Sequence, residues 1–141
     1  MKRIISFLFF LILCAAPSMV LAQTTVRNGS GSRIHTVDRD GTIRDANGTS
    51  IGKFDNGTFR NASGSRVGSA ESDGTVRNGS GSRVATVEKD GTVRNSSGSR
   101  IGSIENDGTV RNSSGSRIGE ARDLDKRIAV ALFFTDMYKK K

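Results

Sequence analysis

The chain predicts an all-β protein with one C-terminal helix, built from six tandem β-hairpin repeats of about 17 residues that form a shallow antiparallel barrel around the helix. Three observations predict it: a unit that recurs six times, two glycine turns within the unit, and an apolar C-terminal segment with no polar face. An open hairpin superhelix is the alternative, since a curved meander of short strands can close or run on. In that case the edges at Val26 and Ile118 would be left unpaired and would favour head-to-tail association.

Residues 1–22 read as a signal peptide. Lys2 and Arg3 precede an apolar run from Ile4 to Leu13, and Val20-Leu21-Ala22 ends in small-residue character suited to cleavage after Ala22. The run is short for a membrane span, which needs roughly 20 residues. The single cysteine, Cys14, falls inside this segment, so the mature chain would carry no thiol or disulfide. Leu13 directly before Cys14 argues against lipidation. The expected location is therefore exported, periplasmic or secreted.

The mature part divides into a repeat domain over 23–122, an apolar helix over 123–138 and a basic tail over 139–141. Without Lys2 and Arg3, 20 basic residues face 14 acids, a net charge of +6. The sequence holds 17 Gly and one Pro, which favours tight turns over a disordered linker.

Copies of the repeat start at Thr24, Asp40, Asn56, Asp73, Asp90 and Asp107, spaced 16, 16, 17, 17 and 17 residues apart. The first is a residue short at its front, and the second has lost one near Phe54-Asp55. One turn is of the kind Asn106-Asp107-Gly108, the other of the kind Ser96-Ser97-Gly98. Both fit three-residue hairpin loops with glycine in the left-handed conformation.

That geometry sets a register from spacing alone. In the fifth copy it places Arg94 opposite Arg100, Val93 opposite Ile101 and Ile104 opposite Val110, with a bulge at Gly102-Ser103 to keep Ile101 and Ile104 on one face. Three apolar columns then line the interior, typified by Val93, Ile101 and Ile104. Asp123 is the expected N-cap of the helix, and Ile128–Phe134 is apolar all round, as a fully buried helix should be. Twelve strands have room for such a helix, given that eleven can enclose one.

The unit Asp-Gly-Thr-Val-Arg-Asn-Ser-Ser-Gly-Ser-Arg-Ile-Gly-Ser-Ile resembles the repeat of small bacterial exported proteins with petal-like hairpin barrels, the β-flower fold, over nearly all of the mature chain. Twelve strands around an apolar C-terminal helix also resemble the Tubby-like and phospholipid scramblase barrels in architecture, a likeness that transfers no residue.

The candidate site residues are two arginine columns. One holds Arg27, Arg44, Arg60, Arg77, Arg94 and Arg111; the other holds Arg33, Arg66, Arg83, Arg100 and Arg117, with Ser50 breaking it. Set side by side on the outer face they repel, unless Glu71, Glu88, Glu105, Glu120 or a ligand answers them. Guanidinium forks suit phosphate and carboxylate, so the partners implied are anionic lipid, acidic glycan or another polyanion. The missing exposed aromatics argue against nucleic acid. The bland alternative is a solvated face whose arginine stems cover the barrel wall.

The remaining signals are weaker. Asp-Gly turns such as Asp38-Arg39-Asp40-Gly41 lack the oxygens of a calcium loop. The sequons at Asn28, Asn47, Asn56, Asn61, Asn78, Asn95 and Asn112 follow from turn chemistry. His35, the lone histidine, has no cysteine or second histidine to build a zinc site or triad.

The expectation is a non-catalytic exported binding or structural protein without cofactor or metal, a monomer, presenting its arginines to an anionic envelope component. The alternative is a membrane-associated barrel whose apolar C-terminal helix engages lipid, helped by Lys139-Lys140-Lys141.

Overall fold

The computed structural model describes residues 23–139. The expected signal peptide and the last two lysines lie outside the described residues. The first six strands are β1 (Thr24–Asn28), β2 (Arg33–Val37), β3 (Thr42–Asp45), β4 (Ser50–Asp55), β5 (Thr58–Asn61) and β6 (Arg66–Ala70). Then follow β7 (Thr75–Asn78), β8 (Arg83–Val87), β9 (Thr92–Asn95), β10 (Arg100–Ile104), β11 (Thr109–Asn112) and β12 (Arg117–Ala121), and helix α1 (Lys126–Phe133). β1 pairs with both β2 and β12, so the twelve antiparallel strands close into a barrel. The open superhelix is thereby overturned, and Val26 pairs across the closing seam with Ala121.

The turns explain the repeated polar residues. Asn95 Oδ1 accepts from the backbone N–H of Ser97 at 3.1 Å and of Ser99 at 3.0 Å, and from the Ser97 hydroxyl at 2.8 Å. This asparagine thus replaces backbone partners that a three-residue loop cannot supply. Gly98 takes φ 87°, which suits only glycine at low cost. At the other rim, Asp90 Oδ1 accepts from the Thr92 N–H at 2.9 Å. That bond holds the exposed Asp90 carboxyl below its ordinary range, as it does at Asp40, Asp73 and Asp107. The shortened second copy turns on two residues, Asn56 (φ 49°) and Gly57 (φ 79°), with Asp55 paired to Thr58.

Arg94 pairs with Arg100 and Ile104 with Val110 as the spacing implies, but Val93 pairs with Gly102 rather than Ile101. The bulge therefore lies at Ile101, between Arg100 and Gly102, one residue before its expected place. Gly102 and Ile104, two apart, then share the inner face as an ordinary strand requires. Val26, Ile43, Phe59, Val76, Val93 and Val110 are fully buried, while the bulge residues such as Ile101 pack partly buried against this core.

The helix fills the barrel. Ile128, Ala129, Val130, Ala131 and Leu132 are buried in the same core as the strands. Its N-cap is Asp125, not Asp123, the Asp125 carboxylate accepting from the Arg127 N–H at 2.9 Å. Asp123 instead adopts a left-handed φ of 55° just after β12. The helix ends at Phe133, short of the expected 138. The Thr135 hydroxyl donates to the Ala131 carbonyl at 2.6 Å, and the chain beyond runs as turns.

What those turns do was not apparent from the repeat. The inward position that holds Gly102 holds glycine or alanine in all copies but one: Gly52, Gly68, Ala85, Gly119 and, in the first copy, His35. A Cβ on Gly119 would run into the Phe133 ring, and one would lie 2.6 Å from the Phe134 ring on Gly102 and 2.6 Å from the Met137 terminal methyl on Gly68. A Cβ on Gly52 would likewise run into Tyr138. Successive tail side chains therefore sit in successive glycine sockets around the wall, on β12, β10, β6 and β4. The Tyr138 hydroxyl fixes the end of this path by donating to the Arg60 carbonyl at 2.9 Å.

Candidate functional site

The two arginine columns lie side by side on the outer face, but they are not equivalent. Each arginine of the first column donates from one terminal nitrogen to the glycine carbonyl of its own tip loop, at 2.9–3.1 Å. Four are also answered by an acid six residues earlier. These pairs are Arg44–Asp38 at 3.0 Å, Arg77–Glu71 and Arg94–Glu88 at 2.6 Å, and Arg111–Glu105 at 2.7 Å. Such half-exposed pairs contribute about 0–1 kcal/mol each, so their effect is more to cancel charge than to stabilise the barrel.

The second column is exposed throughout: Arg33, Arg66, Arg83, Arg100 and Arg117. Arg33, Arg83, Arg100 and Arg117 reach across to a carbonyl in the neighbouring tip loop, of Ala46, Ser96, Ser113 and Gly29 respectively. Arg117 also pairs with Glu120 at 2.9 Å, and Glu120 meets Arg122 as well. For Arg33, Arg66, Arg83 and Arg100 no carboxylate answers the charge among the described residues. Neutral carbonyls at Arg33, Arg83 and Arg100, and the Ser69 hydroxyl at Arg66, position these guanidinium groups without cancelling their charge.

This arrangement is a ladder of pre-positioned cations on the outer wall, broken in the second hairpin, where Ser50 replaces the arginine, and answered by Glu120 in the sixth. Sequence reasoning found both columns and three of the acids that answer the first, but it did not foresee the part played by Asp38. It also missed Lys53, which stands where the other copies have Thr36, Ser69, Thr86, Ser103 and Glu120. Reading down that column of the repeat would have exposed it.

A family model described as 5-fold beta-flower protein matches residues 23–136. The chain belongs to that beta-flower family. In this beta-flower the ring closes with six hairpins, twelve strands in all. No curated protein and no solved structure matches the chain.

Other polar clusters in this beta-flower are accounted for locally. A cavity of about 480 Å³ near the helix N-terminus is lined by Asp38, Asp40, Asp55, Asp123 and Asp125. Three of these already serve other groups: Asp38 answers Arg44, Asp40 caps Thr42, and Asp125 caps the helix and pairs with Arg127 at 2.7 Å. Among the described residues no three His, Cys, Asp or Glu side chains are grouped to hold a metal ion.

His35 fills its own socket, the one on β2. It stands opposite Asp45, where the other copies pair a small residue with asparagine. Its Nδ1 is buried without a hydrogen-bond partner. Burial pushes the imidazole pKa below 6.5, and the nearby Asp45 charge offsets this only in part.

A folded-state value below the unfolded one means that the unfolded chain binds the proton first, so stability falls as pH drops below about 6.5. The Tm of the protein should therefore fall between pH 7 and pH 5 by more than that of a His35→Gly variant, as thermal melts would show. Parallel pH dependence in the two would rule out a role for His35.

Proposed function

We propose that this beta-flower protein is a non-catalytic binding or structural protein whose outer arginine face engages an anionic component of its surroundings. The observation that carries the reading is the asymmetry between columns: four of the six first-column arginines pair with acids, whereas four of the five in the second do not. Exposed, pre-positioned guanidinium groups lose little freedom on meeting phosphate, sulfate or carboxylate, which favours bidentate contacts. Acidic glycans and anionic lipid headgroups share that chemistry. A role in which the helix engages lipid would require withdrawing Val130, Ala131 and Leu132 from the core.

The test compares two triple variants that remove equal charge. Arg33→Ser/Arg83→Ser/Arg100→Ser should lower the salt concentration that elutes the protein from a heparin column by much more than Arg44→Ser/Arg94→Ser/Arg111→Ser does. Salt dependence follows the number of phosphate-like contacts made, so it counts the arginines engaged. Equal losses, or no retention of the unaltered protein, would defeat the proposal.

A further inference from the structure

Lys53, Arg60 and Arg66 stand on the consecutive strands β4, β5 and β6 in directly paired positions, Lys53 opposite Arg60 and Arg60 opposite Arg66. All three are exposed. Three separate departures from the repeat meet here. The deletion in the second copy gives a two-residue turn, and Asp55, which stands where the other copies have Asp38, Glu71, Glu88 and Glu105, forms no ion pair with Arg60 among the described residues. Lys53 brings a third cation to a position that is neutral or acidic in the other copies. Arg66 bonds the Ser69 hydroxyl at 3.2 Å, whereas the other second-column arginines reach a carbonyl of the neighbouring tip loop.

The remaining acid-free member of the first column, Arg27, has Glu120 in the directly opposite strand position, although that carboxylate pairs with Arg117 and Arg122. The row of Lys53 has no such carboxylate. Asp40, which feels the charge of Lys53, caps Thr42 at the rim and forms no ion pair with the lysine among the described residues.

We infer that Lys53, Arg60 and Arg66 form a binding site for a phosphate group, with Arg60 at its centre. The inference rests on the reading of the outer face as anion-binding and names where on that face the anion is held. Directly paired side chains have Cβ atoms about 4.5–5.5 Å apart, so three long basic side chains can converge on one tetrahedral oxyanion. Without an anion the three charges repel one another. A dianion relieves that repulsion and gains charge-assisted hydrogen bonds.

The test is a two-dimensional NMR titration of the 15N-labelled protein with inorganic phosphate and, separately, glycerol 1-phosphate, against chloride at matched ionic strength. Saturable shifts should converge on Lys53, Arg60 and Arg66. Lys53→Thr, which copies Thr36 and Thr86, should weaken binding roughly 10-fold. Lys53→Glu, which places a carboxylate opposite Arg60 as Glu120 lies opposite Arg27, should abolish it. The dispersion of each spectrum shows that the variant has folded.

Tighter binding of the ester would point to a phosphoryl group on a larger molecule, and tighter binding of the free ion to phosphate itself; either supports the site. Shifts spread evenly over all the arginine rows would overturn the site while leaving the wider anion-binding reading intact. Shifts that persist unchanged in Lys53→Glu would also overturn it, and absence of any saturable shift in the unaltered protein would count against both.

Discussion

Replacing Gly102 by valine is expected to destabilise the protein by about 3–5 kcal/mol, on the order of 10–20 °C in Tm. The new Cβ would lie 2.6 Å from the Phe134 ring and would press on the Arg111 carbonyl of the neighbouring strand. Neither neighbour yields cheaply. The carbonyl belongs to the sheet, and expelling Phe134 empties the socket that it fills. Gly102→Ala and Phe134→Ala, made singly and together, separate the two effects. The alanine should cost at least about 1 kcal/mol less once the ring is gone, because contacting residues do not act additively. Strict additivity in chemical denaturation would mean that the ring does not occupy the socket.

The architecture was legible because every layer of the sequence repeats it. Turn residues, apolar columns and spacing all point to hairpins, and an unbroken apolar segment near the C-terminus has to be buried somewhere. What escaped the reading was decided by space rather than by residue type. Counting outward from the Ser96–Gly98 loop sets Ile101 opposite Val93, yet the bulge at Ile101 brings Gly102 there, where only glycine leaves room for the Phe134 ring and the Arg111 carbonyl.

The helix boundary was missed for the same reason. Residues 134–138 contain neither Gly nor Pro, but they leave the helix so that Phe134, Met137 and Tyr138 can reach separate sockets. In the candidate site, residue types revealed both arginine columns, but only the register showed which of them the acids answer. Lys53 and Arg60 are paired as Thr36 and Arg44 or Thr86 and Arg94 are, so the one-residue deletion shortens the turn and leaves this register unchanged.

The C-terminal segment forms the core of the barrel, so a chain ending at Arg122 is expected not to fold. Such a chain lacks Ile128, Val130, Leu132, Phe133, Phe134, Met137 and Tyr138, all of them in or packed against the core. Removing a large core side chain costs about 2–5 kcal/mol, so losing seven exceeds the 5–15 kcal/mol by which domains are ordinarily stable. The strands would be left around an apolar void.

The decisive measurement is the solution size and thermal unfolding of residues 23–122 beside residues 23–141. The longer chain is expected to be a compact monomer with a cooperative transition, and the shorter an expanded or aggregated species without one. A compact shorter chain that melts at the same temperature would contradict that expectation, and would turn attention from the outer arginines to the freed C-terminal segment.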